Sequence, residues 1–183
     1  FRLVLTSAQM VSASAPLSEP PEAFPRCRIA VRAGVGFDNL DLKGWGARGV
    51  PVCNVPAYET ITRSSPLDGL NLARVFPGDP DGSVTQRIAF WVTERLMKRA
   101  DFLIDLHSGG VTYDIPTLVG YSHGDGDLDR RSLAAARAFG APILWGHPPP
   151  VPPGRSIRAA VDLGVPWLYT EARGGGTVRA EDV

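Results

Sequence analysis

The chain has 183 residues, 44% of them apolar and 21% charged, enough for a well-buried core in one or two compact units. Lysine plus arginine balances aspartate plus glutamate at 19 each. No long-range field therefore draws the chain to nucleic acid or to an anionic membrane, neither is expected as a partner, and no apolar run approaches the ~20 residues of a membrane-spanning helix.

Only Cys27 and Cys53 are present. Without a CxxC spacing they read as small apolar residues of a reducing compartment, so a cytoplasmic setting is expected. Phe1 stands where an initiating Met would, which suggests a longer product. Residues 1–5 and the small residues at 12–15 have the outline of a signal peptide. Thr6, Ser7 and Gln9 break the apolar stretch and Pro16 follows it, so a first strand is expected instead.

Strands are expected at 3–5, 29–31 and 50–55, with a short helix over 41–47 ended before Gly49, the pattern of a βαβ-type segment. A polar stretch ending at Pro66 and the turn Asp79-Pro80-Asp81-Gly82 follow. Ser83 and Gln86 have capping-box spacing, Val84, Ile88, Val92 and Leu96 recur at helical spacing, and Lys98 and Arg99 suit a helix C-terminus. Together they predict a helix over 84–100. Strands at 101–106, 116–121, 142–145 and 165–170 alternate with helices at 128–139 and 157–163, stopped by Gly140 and Gly164. The proline-rich segment 147–153 reads as an extended loop. Alternating helices and apolar strands imply an α/β fold, a three-layer sandwich with a mostly parallel central sheet.

Within that frame, one strand delivers His107 into the turn Ser108-Gly109-Gly110, Arg74 precedes Val75-Phe76-Pro77-Gly78, and Glu171 ends the last strand. Strand ends that carry an imidazole, a guanidinium and a carboxylate are how an α/β domain gathers a metal ligand, an anion clamp and a general base in one crevice. Plainer roles stay open: a histidine bonded to backbone, a surface ion pair for Arg74, a solvated carboxylate for Glu171. Asp105 is either a support for the histidine or a carboxylate at the sheet end. Gly174, Gly175 and Gly176 make either a sharp turn or a flexible loop. His123, before Gly124-Asp125-Gly126-Asp127, reads as part of a surface turn, and His147, before three prolines, as structural.

The words Arg32-Ala33-Gly34-Val35-Gly36-Phe37-Asp38-Asn39 and Gly49-Val50-Pro51-Val52-Cys53-Asn54-Val55-Pro56 resemble the substrate-binding domain of D-isomer-specific 2-hydroxyacid dehydrogenases. The resemblance covers residues 1–57 and implies a Gly34–Gly36 loop that offers backbone N–H groups to a carboxylate. No GxGxxG follows, because Asn39 stands where a third glycine is needed, so no nucleotide cofactor is expected. As a dehydrogenase this piece is expected to be inert, its strands and helix completing a sheet or pairing with sister subunits.

Residues 58–183 are similar to the zinc-dependent succinylglutamate desuccinylase/aspartoacylase deacylases, which are related to zinc carboxypeptidases. The resembling words are Arg63-Ser64-Ser65-Pro66-Leu67-Asp68-Gly69-Leu70-Asn71-Leu72-Ala73-Arg74, then Asp105-Leu106-His107-Ser108-Gly109-Gly110, then Gly164-Val165-Pro166-Trp167-Leu168-Tyr169-Thr170-Glu171. They imply a truncated zinc-carboxypeptidase-like sandwich with an extra N-terminal βαβ-type segment. The implied reaction is hydrolysis of the amide bond of an N-acyl amino acid or similar small carboxylate. By resemblance His107 is a zinc ligand, Glu171 the general base toward metal-bound water, and Arg74 the clamp on a substrate carboxylate. Arg63 is either a further substrate-binding residue or a plain surface arginine, and Asn71 either a further substrate-binding residue or structural, since Ala73 stands where the family pattern has a second Asn.

The family takes its first two zinc ligands from an HGxE motif, and no His precedes His107 here. One histidine cannot hold a catalytic zinc, so an impaired or inactive chain is expected. It reads as a chimera, natural or an assembly artefact, joined within Asn54-Val55-Pro56-Ala57-Tyr58. A noncatalytic remnant that binds a small anion through Gly34–Gly36 or Arg74 stays open, and a homo-oligomer is compatible with either reading.

Overall fold

A computed structural model describes residues 2–6, 30–32, 54–60, 62–110 and 113–176. The helix expected at 41–47, the Gly34–Gly36 loop and both cysteines lie outside these residues, as does most of the strand expected at 50–55.

The strands are β1 (Arg2–Thr6), β2 (Ala30–Arg32), β3 (Phe102–His107), β4 (Leu118–Ser122), β5 (Ile143–His147) and β6 (Trp167–Glu171). The helices are α1 (Val55–Glu59), α2 (Val84–Arg95), α3 (Asp127–Phe139) and α4 (Ser156–Asp162), with 3₁₀ turns at Leu72–Arg74 and Met97–Arg99. The six strands form one sheet in the order β2-β1-β3-β6-β4-β5. Every pairing is parallel except that of β4 with β6. β3 and β4 are joined by residues 108–117, a link too short to carry the chain back for a parallel return.

Two elements differ from expectation. The helix expected over 84–100 ends at Arg95 and tightens into the 3₁₀ turn Met97–Arg99, a common way to finish a helix before a strand. Val55 opens α1 instead of ending a strand; Pro56, lacking an N–H, suits a first helical turn, and its carbonyl accepts the Thr60 N–H at 3.3 Å. At the start of α2 the Ser83 N–H donates to Gln86 Oε1 at 2.9 Å, the reciprocal half of the expected capping box. The free amide of Thr85 is taken by Asp68 Oδ2 at 2.8 Å, from 17 residues upstream.

Alternation along β3 and β6 sorts the core into two layers. On one face Leu103 and Trp167 pack with Leu72, Ala89, Val92, Met97, Ile157 and Ala160, which seats α2 and α4 there. On the other, Val119 and Leu168 pack against Ala136 of α3. Helices on both sides of a mostly parallel sheet make the expected three-layer sandwich.

Candidate functional site

The register of β3 and β6 puts Asp105 beside Tyr169 and His107 beside Glu171. All four alternate onto the face that carries Leu103 and Trp167, so the apolar core gives way to a polar patch as the strands reach their C-terminal ends. That edge of an open α/β sheet is where ligands are held. Arg74 arrives from the 3₁₀ turn, and Arg155, Ser156 and Ile157 from the start of α4; with the strand residues they line one solvent-open cleft.

The two strand ends are tied together beyond the site. Ala172 N–H donates to His107 O at 2.8 Å, Gly109 N–H to Arg173 O at 3.1 Å, and Gly176 N–H to Gly110 O at 3.0 Å. The close approach requires glycine: a Cβ at Gly109 would lie 2.3 Å from Tyr113 O and 2.6 Å from Arg173 O. Gly174, Gly175 and Gly176 thus form a bonded turn, with φ of 114°, 68° and 69°.

Asp105 is buried and accepts a short hydrogen bond from the Ser156 hydroxyl. Its Oδ2 also lies 3.0 Å from His107 Nε2. The carboxylate therefore engages one ring nitrogen and leaves Nδ1 as the other donor or acceptor of His107. Burial by itself pushes the imidazole pKa down, but the Asp105 carboxylate, helped by Glu171, outweighs it and the pKa is raised. Burial also raises Glu171; Asp105 adds to this, while His107, Arg74 and Arg155 pull it partly back. Burial and then the repulsion of Arg155 and Arg63 lower Arg74, whose guanidinium stays charged throughout the physiological range. Tyr169 is pushed up to about 12 by burial and then by Glu171.

His107, Glu171 and Arg74, singled out from sequence, share this cleft. Arg63 and Asn71 do not line it. Arg63 is exposed and reaches it only through its charge on Arg74, while Asn71 Oδ1 accepts the Ala73 N–H at 2.9 Å and caps the turn that presents Arg74. Sequence reasoning missed Arg155, Ser156 and Tyr169. Tyr169 was within reach, since it stands two residues before Glu171 on a strand. Arg155 was not: an antiparallel bridge between Phe76 and Gly154 brings the two arginines to one rim, and no local pattern announces it.

The side chains of the described residues do not make a catalytic zinc site, which takes three protein ligands. His107 offers one nitrogen and Glu171 a carboxylate opposite it. Among the described residues no three His, Cys, Asp or Glu side chains are grouped to hold a metal ion. His123 is exposed beyond β4, and His147 Nε2 is 2.9 Å from the Tyr169 hydroxyl, so neither joins His107.

A mostly parallel α/β sandwich with a cleft of two arginines, an imidazole and carboxylates at its strand ends defines the class. The model of the succinylglutamate desuccinylase/aspartoacylase catalytic domain matches residues 45–183, and the chain belongs to that family. The D-isomer specific 2-hydroxyacid dehydrogenase catalytic domain matches residues 10–64, overlapping it at 45–64. An N-alpha-acetyl-L-2,4-diaminobutyric acid deacetylase of Halomonas elongata is 51% identical over 135 residues, 73% of this chain and 40% of that protein. The product-bound ectoine utilization protein EutE (DoeB) of Ruegeria pomeroyi is 36% identical, with a TM-score of 0.65 over 73% of this chain and 41% of that one. A succinylglutamate desuccinylase of Silicibacter sp. TM1040 is 28% identical, with a TM-score of 0.71 over 99% of this chain and 52% of that one. The chain thus spans about 40% of the length of the deacetylase it matches. No helix among the described residues is long and apolar enough to cross a membrane.

Proposed function

We propose that the chain carries the substrate-holding part of an amide hydrolase acting on an N-acylated amino acid or similar small carboxylate. The observation that carries this reading is the juxtaposition of His107 and Glu171 on neighbouring strands in a cleft that also receives Arg74 and Arg155. Two guanidinium groups suit a carboxylate, which they bind through planar, charge-assisted forks. Glu171, with its pKa raised, is closer to working pH than an ordinary carboxyl and suits a general acid–base role at the amide. The similarity to a diaminobutyrate N-deacetylase supports an N-acyl amino acid as the substrate class.

Zinc is the cofactor the family resemblance implies, and the donor set among the described residues does not fit it, so no step is assigned to it. Weak or absent turnover by the chain alone follows. The short donor set favours a second reading, a noncatalytic remnant that retains the anion-binding rim. Residues 1–57 are proposed to be the dehydrogenase-like piece and residues 58–183 the partial deacylase domain, in a cytoplasmic setting.

Titration of the chain with N-acetyl-L-glutamate, together with an assay of amine release, tests both readings. Arg74→Ala is expected to weaken binding at least about tenfold, the scale of one lost charge-assisted contact. Amine release above background that Glu171→Gln abolishes favours the hydrolase; binding without release favours the remnant. Equal binding by wild type and Arg74→Ala overturns both.

A further inference from the structure

Tyr169 alternates with Glu171 on β6 and faces the same cleft, yet its ring also spans the neighbouring strand to reach β5. The space for this comes from Gly120 of β4, in register with Tyr169. A Cβ there would lie 1.9 Å from Tyr169 Cε1 and 2.4 Å from Cζ. Glycine weakens a strand interior, and its presence under a tyrosine ring marks a close approach that a side chain would forbid.

The far end of the ring is also held. Tyr169 Oη lies 2.9 Å from His147 Nε2, and the imidazole stacks on Trp145 with centroids 5.0 Å apart and planes at 27°. Trp167 stacks beside the tyrosine at 6.4 Å and 21°. Three strands thus place one hydroxyl: β6 supplies it, β4 clears its path, and β5 fixes its direction.

We propose that Tyr169 is a specificity-determining residue of the cleft, its hydroxyl, positioned by His147 across Gly120, hydrogen-bonding the neutral amide group of a bound N-acyl amino acid. This rests on the reading of the cleft as a site for N-acylated carboxylates. The other polar side chains lining the cleft are Arg74, Arg155, Asp105, His107 and Glu171, all able to carry charge, and Ser156, whose hydroxyl already donates to Asp105. Carboxylate ends of a ligand pair with the guanidinium groups, whereas an amide carries no charge and gains most from a neutral partner that donates or accepts. The tyrosine hydroxyl, as a phenol, keeps its proton near neutral pH. Burial, and then Arg155, lower the His147 pKa and keep that ring neutral, so the pair stays intact near neutral pH.

The test uses the full chain and two probes that differ only by acylation, N-acetyl-L-glutamate and L-glutamate, with dissociation constants read by calorimetry. Wild type is expected to prefer the acetylated compound. Tyr169→Phe keeps the ring and its packing and should lose about tenfold in affinity for that compound, with less than about twofold change for free glutamate. His147→Phe should reproduce the loss and His147→Gln, which can still bond the hydroxyl, should restore part of it. Nitrogen chemical shifts of the His147 ring in wild type and Tyr169→Phe report whether the hydrogen bond is present in solution. Equal preference in wild type and Tyr169→Phe overturns the assignment while leaving the cleft reading intact. Absence of millimolar binding of either probe to folded wild type overturns the cleft reading itself, and this inference with it.

Discussion

Asp105 and His107 stand two residues apart on one face of β3, with Asp105 Oδ2 3.0 Å from His107 Nε2. The Ser156 hydroxyl, from the first residue of α4, reaches the same carboxylate oxygen, so the packing of that helix and the orientation of the imidazole depend on one buried group. Ser156→Ala removes one donor from a buried charge and should cost about 1–3 kcal/mol in urea unfolding. Asp105→Asn removes the charge that holds the imidazole pKa up. The His107 pKa in the metal-free variant should therefore fall relative to wild type, read from its ring proton shifts across pH. An unchanged His107 titration in Asp105→Asn would show that the carboxylate does not govern the ring.

The elements that create the site were legible because their physics is local. Val84, Ile88 and Val92 at helical spacing gave α2, and the apolar run 102–106 gave β3. His107 and Glu171 were legible as strand ends, and the carboxyl ends of such strands are where open α/β sheets hold ligands; that the two are register partners is a finding of the structure. Arg155 and the reach of Tyr169 to His147 were not legible. Both depend on strand order and on contacts between segments far apart in sequence, such as Phe76 with Gly154 and Gly120 with Tyr169. Asn71 belongs with them for a related reason: a side chain that accepts its own backbone two residues on looks, in a sequence, like one turned toward a ligand.

The bonded turns beyond the site make a prediction that separates crowding from backbone conformation. Gly174 has φ 114°, and a Cβ there would lie 2.3 Å from Tyr113 O and 2.8 Å from Gly109 Cα. Gly140, which caps α3, has φ 81° and nothing within 4 Å of the same added atom. Gly140→Ala should therefore cost only the conformational penalty of about 1 kcal/mol. Gly174→Ala should cost at least about 2 kcal/mol, because backbone oxygens must also move. It should also disturb His107, whose carbonyl is bonded to Ala172 N–H in the same turn. Denaturant midpoints of the two variants check the order; equal losses would mean that the turn relaxes freely.

Zinc binding follows from the donor count. A structural zinc bound by a full ligand set contributes about 10–16 kcal/mol of apparent binding free energy. Among the described residues His107 and Glu171 supply a nitrogen and a carboxylate, short of the three ligands a catalytic ion needs. Metal analysis of the purified chain should find well under one equivalent of zinc. Dialysis against a chelator should leave the unfolding midpoint unchanged, and added zinc should bind more weakly than about 1 μM. A tightly held equivalent that His107→Ala releases would overturn this and would require ligands from outside the described residues.

Asp68 gives the fold a pH dependence of its own at the start of α2. Its Oδ2 accepts the Thr85 amide at 2.8 Å, while Oδ1 accepts the Thr85 hydroxyl at 2.9 Å and the Leu70 amide at 3.1 Å. Burial alone would raise this carboxyl, but the hydrogen bonds outweigh it and lower the pKa from 3.8 to about 2. A pKa depressed on folding stabilises the native state only when the group is ionised. The contribution is therefore complete above the unfolded value near 4 and fades as pH falls toward about 2. With solvent screening at this partly exposed site, the charge is worth about 1 kcal/mol at neutral pH. Asp68→Asn retains a hydrogen-bond acceptor and loses only the charge. Its stability deficit relative to wild type should hold steady from pH 7 to pH 5 and then shrink as both are taken to pH 2 in urea titrations. A deficit of constant size down to pH 2 would mean that ionisation of Asp68 is not what secures the helix.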